Sequence, residues 1–122
     1  MKSLFAFSLI TLSIFSAFAA PAKTPVLPGP PGALIVDVRT QEEFASGHIP
    51  SAALFPYDEL SVKAPNFAAL VGEAKGGKDR PIVVYCRSGR RSAIAAKTLR
   101  GLGYRNVTDF GGIDRWKGPL ER

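Results

Sequence analysis

Two short continuous apolar runs, Ala33-Leu34-Ile35-Val36-Asp37-Val38 and Pro81-Ile82-Val83-Val84-Tyr85, restrict this chain most. Neither alternates polar with apolar residues, so neither fits a strand with one wet face. A run of this length without alternation is expected of a strand buried on both sides, the condition found in parallel sheets. Between and after them the pattern changes to helical spacing. Thr40 followed three residues later by Glu43 is a capping box, predicting a short helix over 41–46 that Gly47 ends. Residues 52–55 read as a second short strand, stopped by Pro56. A helix is expected over 65–74, with Phe67, Leu70 and Val71 facing inward, followed by a solvated turn over 75–79. After Tyr85 comes the segment Cys86-Arg87-Ser88-Gly89-Arg90-Arg91-Ser92. A helix to about Leu102 is then expected, with Ala95, Ala96, Leu99 and Leu102 on one stripe and Lys97 and Arg100 on the other. Residues 106–110 read as a further strand, and 114–117 as a last short helix. Alternating strands and helices predict an α/β fold: a small parallel sheet of four to five strands flanked by helices.

The chain has 122 residues, of which 46% are apolar, which suits one compact domain and argues against wholesale disorder. Residues 1–19 read as a signal peptide. Met1-Lys2-Ser3 is a short positive head, Leu4 to Phe18 an uncharged apolar stretch, and Ala17-Phe18-Ala19 a small-x-small cleavage pattern. An uncleaved membrane anchor is the competing reading, but the stretch falls short of the ~20 residues a spanning helix needs. Export, to a bacterial periplasm, follows. Five prolines between residues 20 and 32 predict an extended tether, so the folded unit is placed at 33–120.

Export sharpens the meaning of the single cysteine, because small exported domains use cysteines in disulfide pairs. A lone thiol is either a buried apolar filler or a reactive group. Its position favours reactivity. Ligands of open parallel sheets sit outside the carboxyl ends of the strands, and Cys86 falls at such an end, before a helix. Converging loop amides and the helix N-terminus favour a thiolate over a thiol there. The net charge of +6 is also concentrated nearby, as Arg87, Arg90 and Arg91. That points to a local site for a small anion and not to a nucleic-acid face, which would need interleaved aromatic residues.

Four motifs in order resemble a rhodanese domain: Asp37-Val38-Arg39; Glu43-Phe44-Ala45-Ser46-Gly47-His48-Ile49-Pro50-Ser51-Ala52; Cys86-Arg87-Ser88-Gly89-Arg90-Arg91-Ser92; and Gly111-Gly112 with Trp116. The resemblance covers about residues 33–118, and in organisation the chain is similar to small periplasmic single-domain rhodaneses. It departs in lacking the usual first edge strand and helix, where the proline-rich segment stands. The resemblance implies sulfur transfer. Cys86 would take the outer sulfur of a small anionic donor such as thiosulfate, release sulfite, and pass the sulfur from a persulfide to cyanide or a thiol. Amides and side chains of Arg87, Ser88, Gly89, Arg90, Arg91 and Ser92 would hold the donor, without metal or organic cofactor. No nucleic-acid partner and no membrane insertion after cleavage are implied, and oligomeric state is left open.

Two other readings stand beside it. Phosphate-ester hydrolysis by a cysteine loop needs Cys, five residues, then Arg; here Ser92 occupies that place and Arg91 comes one residue early. A carrier or binding module that holds sulfur without turnover is the other. Asp37 and Arg39 are expected to form a structural ion pair supporting the loop. His48, the sole histidine, is read as packing its loop, with a base near Cys86 as the alternative; a metal site from His48 and Cys86 lacks ligands. Trp116 is expected in the core or the pocket wall. Gly111-Gly112 should permit close chain approach at the rim.

Overall fold

The computed structural model describes residues 26–122. The leader at 1–19 and the first part of the tether, residues 20–25, lie outside the described residues. Four strands, β1 (Leu34–Asp37), β2 (Ala53–Leu54), β3 (Ile82–Cys86) and β4 (Val107–Gly112), form one sheet in the order β2-β1-β3-β4. All pairings are parallel, with Val36 opposite Val84 and Asp37 opposite Tyr85. The helices are α1 (Gln41–Ser46), α2 (Ala64–Val71) and α3 (Arg90–Gly101).

Strand periodicity sends alternate side chains of the two central strands to opposite faces. Leu34, Val36, Ile82, Val84 and Cys86 join the larger core, against Phe67 and Val71 of α2 and Ala95, Ala96 and Leu99 of α3. Phe67 anchors this layer with edge-on contacts to Phe55 and Tyr104 at 5.1 and 5.5 Å. Ile35, Val83 and Tyr85 point the other way, onto Ile49, Leu27, Phe110, Ile113 and Trp116. Every residue of β1 and β3 is buried, as continuous apolar runs require.

Several boundaries differ from the sequence reading. Helix α2 stops at Val71, and the expected turn at 75–79 is two short 3-10 turns, Glu73–Lys75 and Gly77–Asp79. The last helix is a 3-10 turn at Ile113–Arg115. The proline-rich segment over its described part is not a free tether. Leu27 and Ala33 pack on the second core, Ala33 N–H bonds the Pro30 carbonyl at 3.1 Å, and Arg80 Nε bonds the Gly32 carbonyl at 3.2 Å. This strap covers the sheet face that α2 and α3 leave open, so the packed unit begins near Leu27.

β4 is an outer strand. A one-residue bulge at Phe110 shifts its register from Val84–Asp109 to Tyr85–Gly111. Arg100 of α3 donates to the Val107 carbonyl at 2.9 Å, and the Asp109 carboxylate accepts the Gly111 N–H at 3.0 Å. Bulges of this kind redirect the chain beside sites, and here the residue redirected is Gly112.

Candidate active site

The carboxyl ends of four parallel strands bring Asp37–Arg39, Leu54–Tyr57, Cys86 and Gly112 to one edge of the sheet. Cys86 is the last residue of β3 and is fully buried. Only Arg87, Ser88 and Gly89 form the loop; Arg90, Arg91 and Ser92 already make the first turn of α3, three residues earlier than the spacing suggested. Gly89 is the reason. It stands at the helix N-cap with φ +104°, a conformation that disfavours other residues, and turns the chain directly from strand to helix. It supplies no capping side chain, so the free N–H groups of the first turn remain available.

Those groups converge on the sulfur. Gly89 N–H donates to Cys86 Sγ at 3.0 Å. Burial pushes the Cys86 thiol up, but the Ser92 hydroxyl and amide, with the Gly89 and Ser88 amides, outweigh it and leave the group below its ordinary value. The Ser92 hydroxyl lies 3.2 Å from the Gly89 carbonyl, a long bond from which it can turn to the thiolate. Backbone and hydroxyl donors, not guanidinium groups, lead this list. Alkylation of Cys86 by iodoacetamide followed against pH should therefore titrate below 9.0, its ordinary value, and change little when Arg87 or Arg90 is replaced by Ala. A midpoint at or above that value would remove the basis for an activated sulfur.

The arginines divide. Arg87 and Arg90 are exposed, and among the described residues neither has an ion pair. Arg91 is bonded to Glu43 of α1, Nη1 to Oε1 at 2.8 Å and Nη2 to Oε2 at 3.0 Å. Glu43 also closes the capping box with Thr40. The Arg91 hydrogen bonds hold its carboxyl down at about 2, so the pair stabilises the fold above the usual carboxylate range and is lost as pH falls toward that value.

Asp37 and Arg39 sit beside the loop without facing the sulfur. Arg39 Nε and Nη2 clasp Asp37 at 2.8 and 2.6 Å, and Nη2 also donates to the Gly47 carbonyl at 2.7 Å. Tyr85 OH donates to Asp37 at 2.8 Å and accepts the Ile49 N–H at 3.0 Å. This buried network ties β1, the 47–49 loop and the residue before Cys86 together. His48 stacks on Phe44 at 3.7 Å and bonds its carbonyl, while its backbone pairs with Glu121. Trp116 belongs to the second core and donates to the Pro119 carbonyl at 2.9 Å. Gly112 is packed so closely that an added Cβ would lie 2.6 Å from the Arg87 carbonyl. This is the close approach expected of the Gly111-Gly112 pair, whereas Tyr85 and the Arg91 contact of Glu43 carry no local sequence signal as site-shaping features. Among the described residues, no group of three or more His, Cys, Asp or Glu could hold a metal, and no helix is long and apolar enough to cross a membrane.

A buried cysteine at a parallel strand end, cradled by the amides of a tight loop and the first turn of a helix, defines a cysteine-loop α/β domain. A sequence profile described as the rhodanese-like domain matches residues 24–119, and the chain belongs to that family. It is 38% identical over 84 residues to "Sulfurtransferase" of Allochromatium vinosum, covering 68% of this chain and 70% of that one. It is 37% identical over 89 residues, 72% of its length, to "Adenylyltransferase and sulfurtransferase UBA4" of Candida albicans, of which it spans only 20%. The solved "rhodanese with anions from E. coli" superposes with a TM-score of 0.63 at 26% identity, covering 74% of this chain and 98% of that one.

Proposed function

We propose that this domain is a sulfurtransferase in which the Cys86 thiolate attacks the outer sulfur of thiosulfate or a persulfide donor. The sulfur–sulfur bond of the donor breaks, sulfite or a thiolate leaves with the electron pair, and Cys86 carries a persulfide. A thiophile, cyanide in an assay or a thiol in the cell, then attacks the outer sulfur and restores the thiolate. The observation that carries this is the convergence of loop and helix N–H groups on a buried, acidified Cys86. The amides of Arg87 to Ser92 would stabilise the anionic donor and the persulfide, with exposed Arg87 and Arg90 aiding attraction. Asp37 and Arg39 support the loop through structure, and no cofactor enters the scheme. A phosphatase is the weaker reading, because the arginine nearest the required position, Arg91, is bonded to Glu43.

Relatives with sulfurtransferase names support the same chemistry. Export is proposed from residues 1–19, whose apolar stretch ends in a small-x-small pattern. The intact mass of the purified protein tests both. After thiosulfate treatment it should rise by one sulfur atom, and cyanide should reverse the gain. An unchanged mass after thiosulfate would sink the mechanism, and a mass that retains the leader would sink the export reading.

A further inference from the structure

Arg91 has an unusual station for a site that attracts anions. It lies five residues after the cysteine, on the first turn of α3, and is close enough for Cys86 to influence its titration. Its planar fork is of the kind suited to gripping two oxygens of a tetrahedral anion. Yet both terminal nitrogens are committed to Glu43. The two side chains are only 21% and 26% exposed, so the pair is shielded from screening. Glu43 is itself fixed, accepting the Thr40 N–H and hydroxyl at 3.1 Å each. The fork cannot swing toward Cys86 without leaving a carboxylate half-desolvated.

Given the sulfur-site reading of the Cys86 loop, on which this rests, we propose that Glu43 is a specificity-determining residue. It holds the Arg91 fork off the anion cradle, so that compact oxyanions such as phosphate bind the loop weakly. The benefit follows from the difference between reacting and binding. A sulfur donor that reaches Cys86 forms a bond and departs as product, whereas phosphate only occupies the cradle. Weak gripping of oxyanions in general therefore costs transfer little once donor is plentiful, and it removes competitors. Arg87 and Arg90 can draw anions in without fixing them, because both are exposed and screened.

The test uses Glu43→Gln, since glutamine can still serve the capping box while losing the charge that engages Arg91. The probe is inorganic phosphate, read as protection of Cys86 against iodoacetamide and as the phosphate-dependent rise in thermal midpoint. Glu43→Gln should tighten phosphate binding by about tenfold, the scale of one charge-assisted bonding pair. The double variant Glu43→Gln/Arg91→Gln should return it to the wild-type value. That double variant leaves the net charge unchanged and keeps the test open if Glu43→Gln alone fails to fold, because an Arg91 that already gripped phosphate in the wild type would make the double variant bind more weakly. No tightening in Glu43→Gln, tightening that survives in the double variant, or phosphate binding in the double variant weaker than in the wild type would each overturn the proposal. Neither readout requires turnover, so a failure of sulfur transfer and a failure of Glu43 masking remain distinguishable.

Discussion

Cys86→Ser is expected to abolish thiosulfate:cyanide sulfur transfer, by at least about three orders of magnitude, while the domain stays folded. Serine nearly matches cysteine in shape, and its hydroxyl can accept the Gly89 N–H that now meets the sulfur. The exchange of a buried sulfur for a hydroxyl should cost about 1–2 kcal/mol, because the new group has a partner. Steady-state assay and circular dichroism on the same sample check the two halves. The mass gain on thiosulfate treatment should also vanish. Retained turnover in the serine variant would remove Cys86 from the mechanism, since no second cysteine exists to take its place.

The second large effect is on stability. Arg39→Met should destabilise the domain by about 3–5 kcal/mol, the range for breaking one partner of a buried ion pair. Asp37 is fully buried, and Arg39 is 6% exposed, so water cannot replace the guanidinium. The loss would propagate. Arg39 Nη2 holds the Gly47 carbonyl, and Asp37 receives the hydroxyl of Tyr85, the residue before Cys86. Thermal unfolding should fall by roughly 12 °C or more for a domain of this size. The double change Arg39→Met/Asp37→Leu should recover part of the loss, because it removes the stranded carboxylate as well as the cation. A drop of under about 1 kcal/mol in the single variant would show that the network is not carrying the strand ends.

The sheet and the position of the cysteine were legible because they depend on local patterns. Two continuous apolar runs became the fully buried β1 and β3, and the capping box at Thr40 and Glu43 fixed α1 to the residue. What escaped was set by contacts distant along the chain or by backbone geometry without a side-chain signature. The early start of α3 turns on Gly89, which caps by conformation and leaves no Ser, Thr, Asp or Asn to mark the boundary. Pro28, Pro30 and Pro31 read as an extended spacer, yet Leu27, just before them, anchors the strap against the core that holds Ile35 and Val83. Glu43 reads completely as a helix-capping residue; its second partner, Arg91, lies 48 residues away. Nothing in either local sequence links the two.

The β4 edge of the sheet carries a consequence for behaviour at high protein concentration. An unpaired strand edge is a template on which other chains add, and continuous apolar strands behind it make such growth more dangerous. Here the edge is blunted from within. Arg100 occupies the Val107 carbonyl, Asp109 occupies the Gly111 N–H, and the bulge at Phe110 breaks the straight line of β4. An incoming strand would have to displace an arginine and a carboxylate before making its first pair of ladder bonds, and the bulge would then throw it out of register. The same bulge that seats Gly112 against the cysteine loop thus also makes the β4 edge a poor template for strand addition.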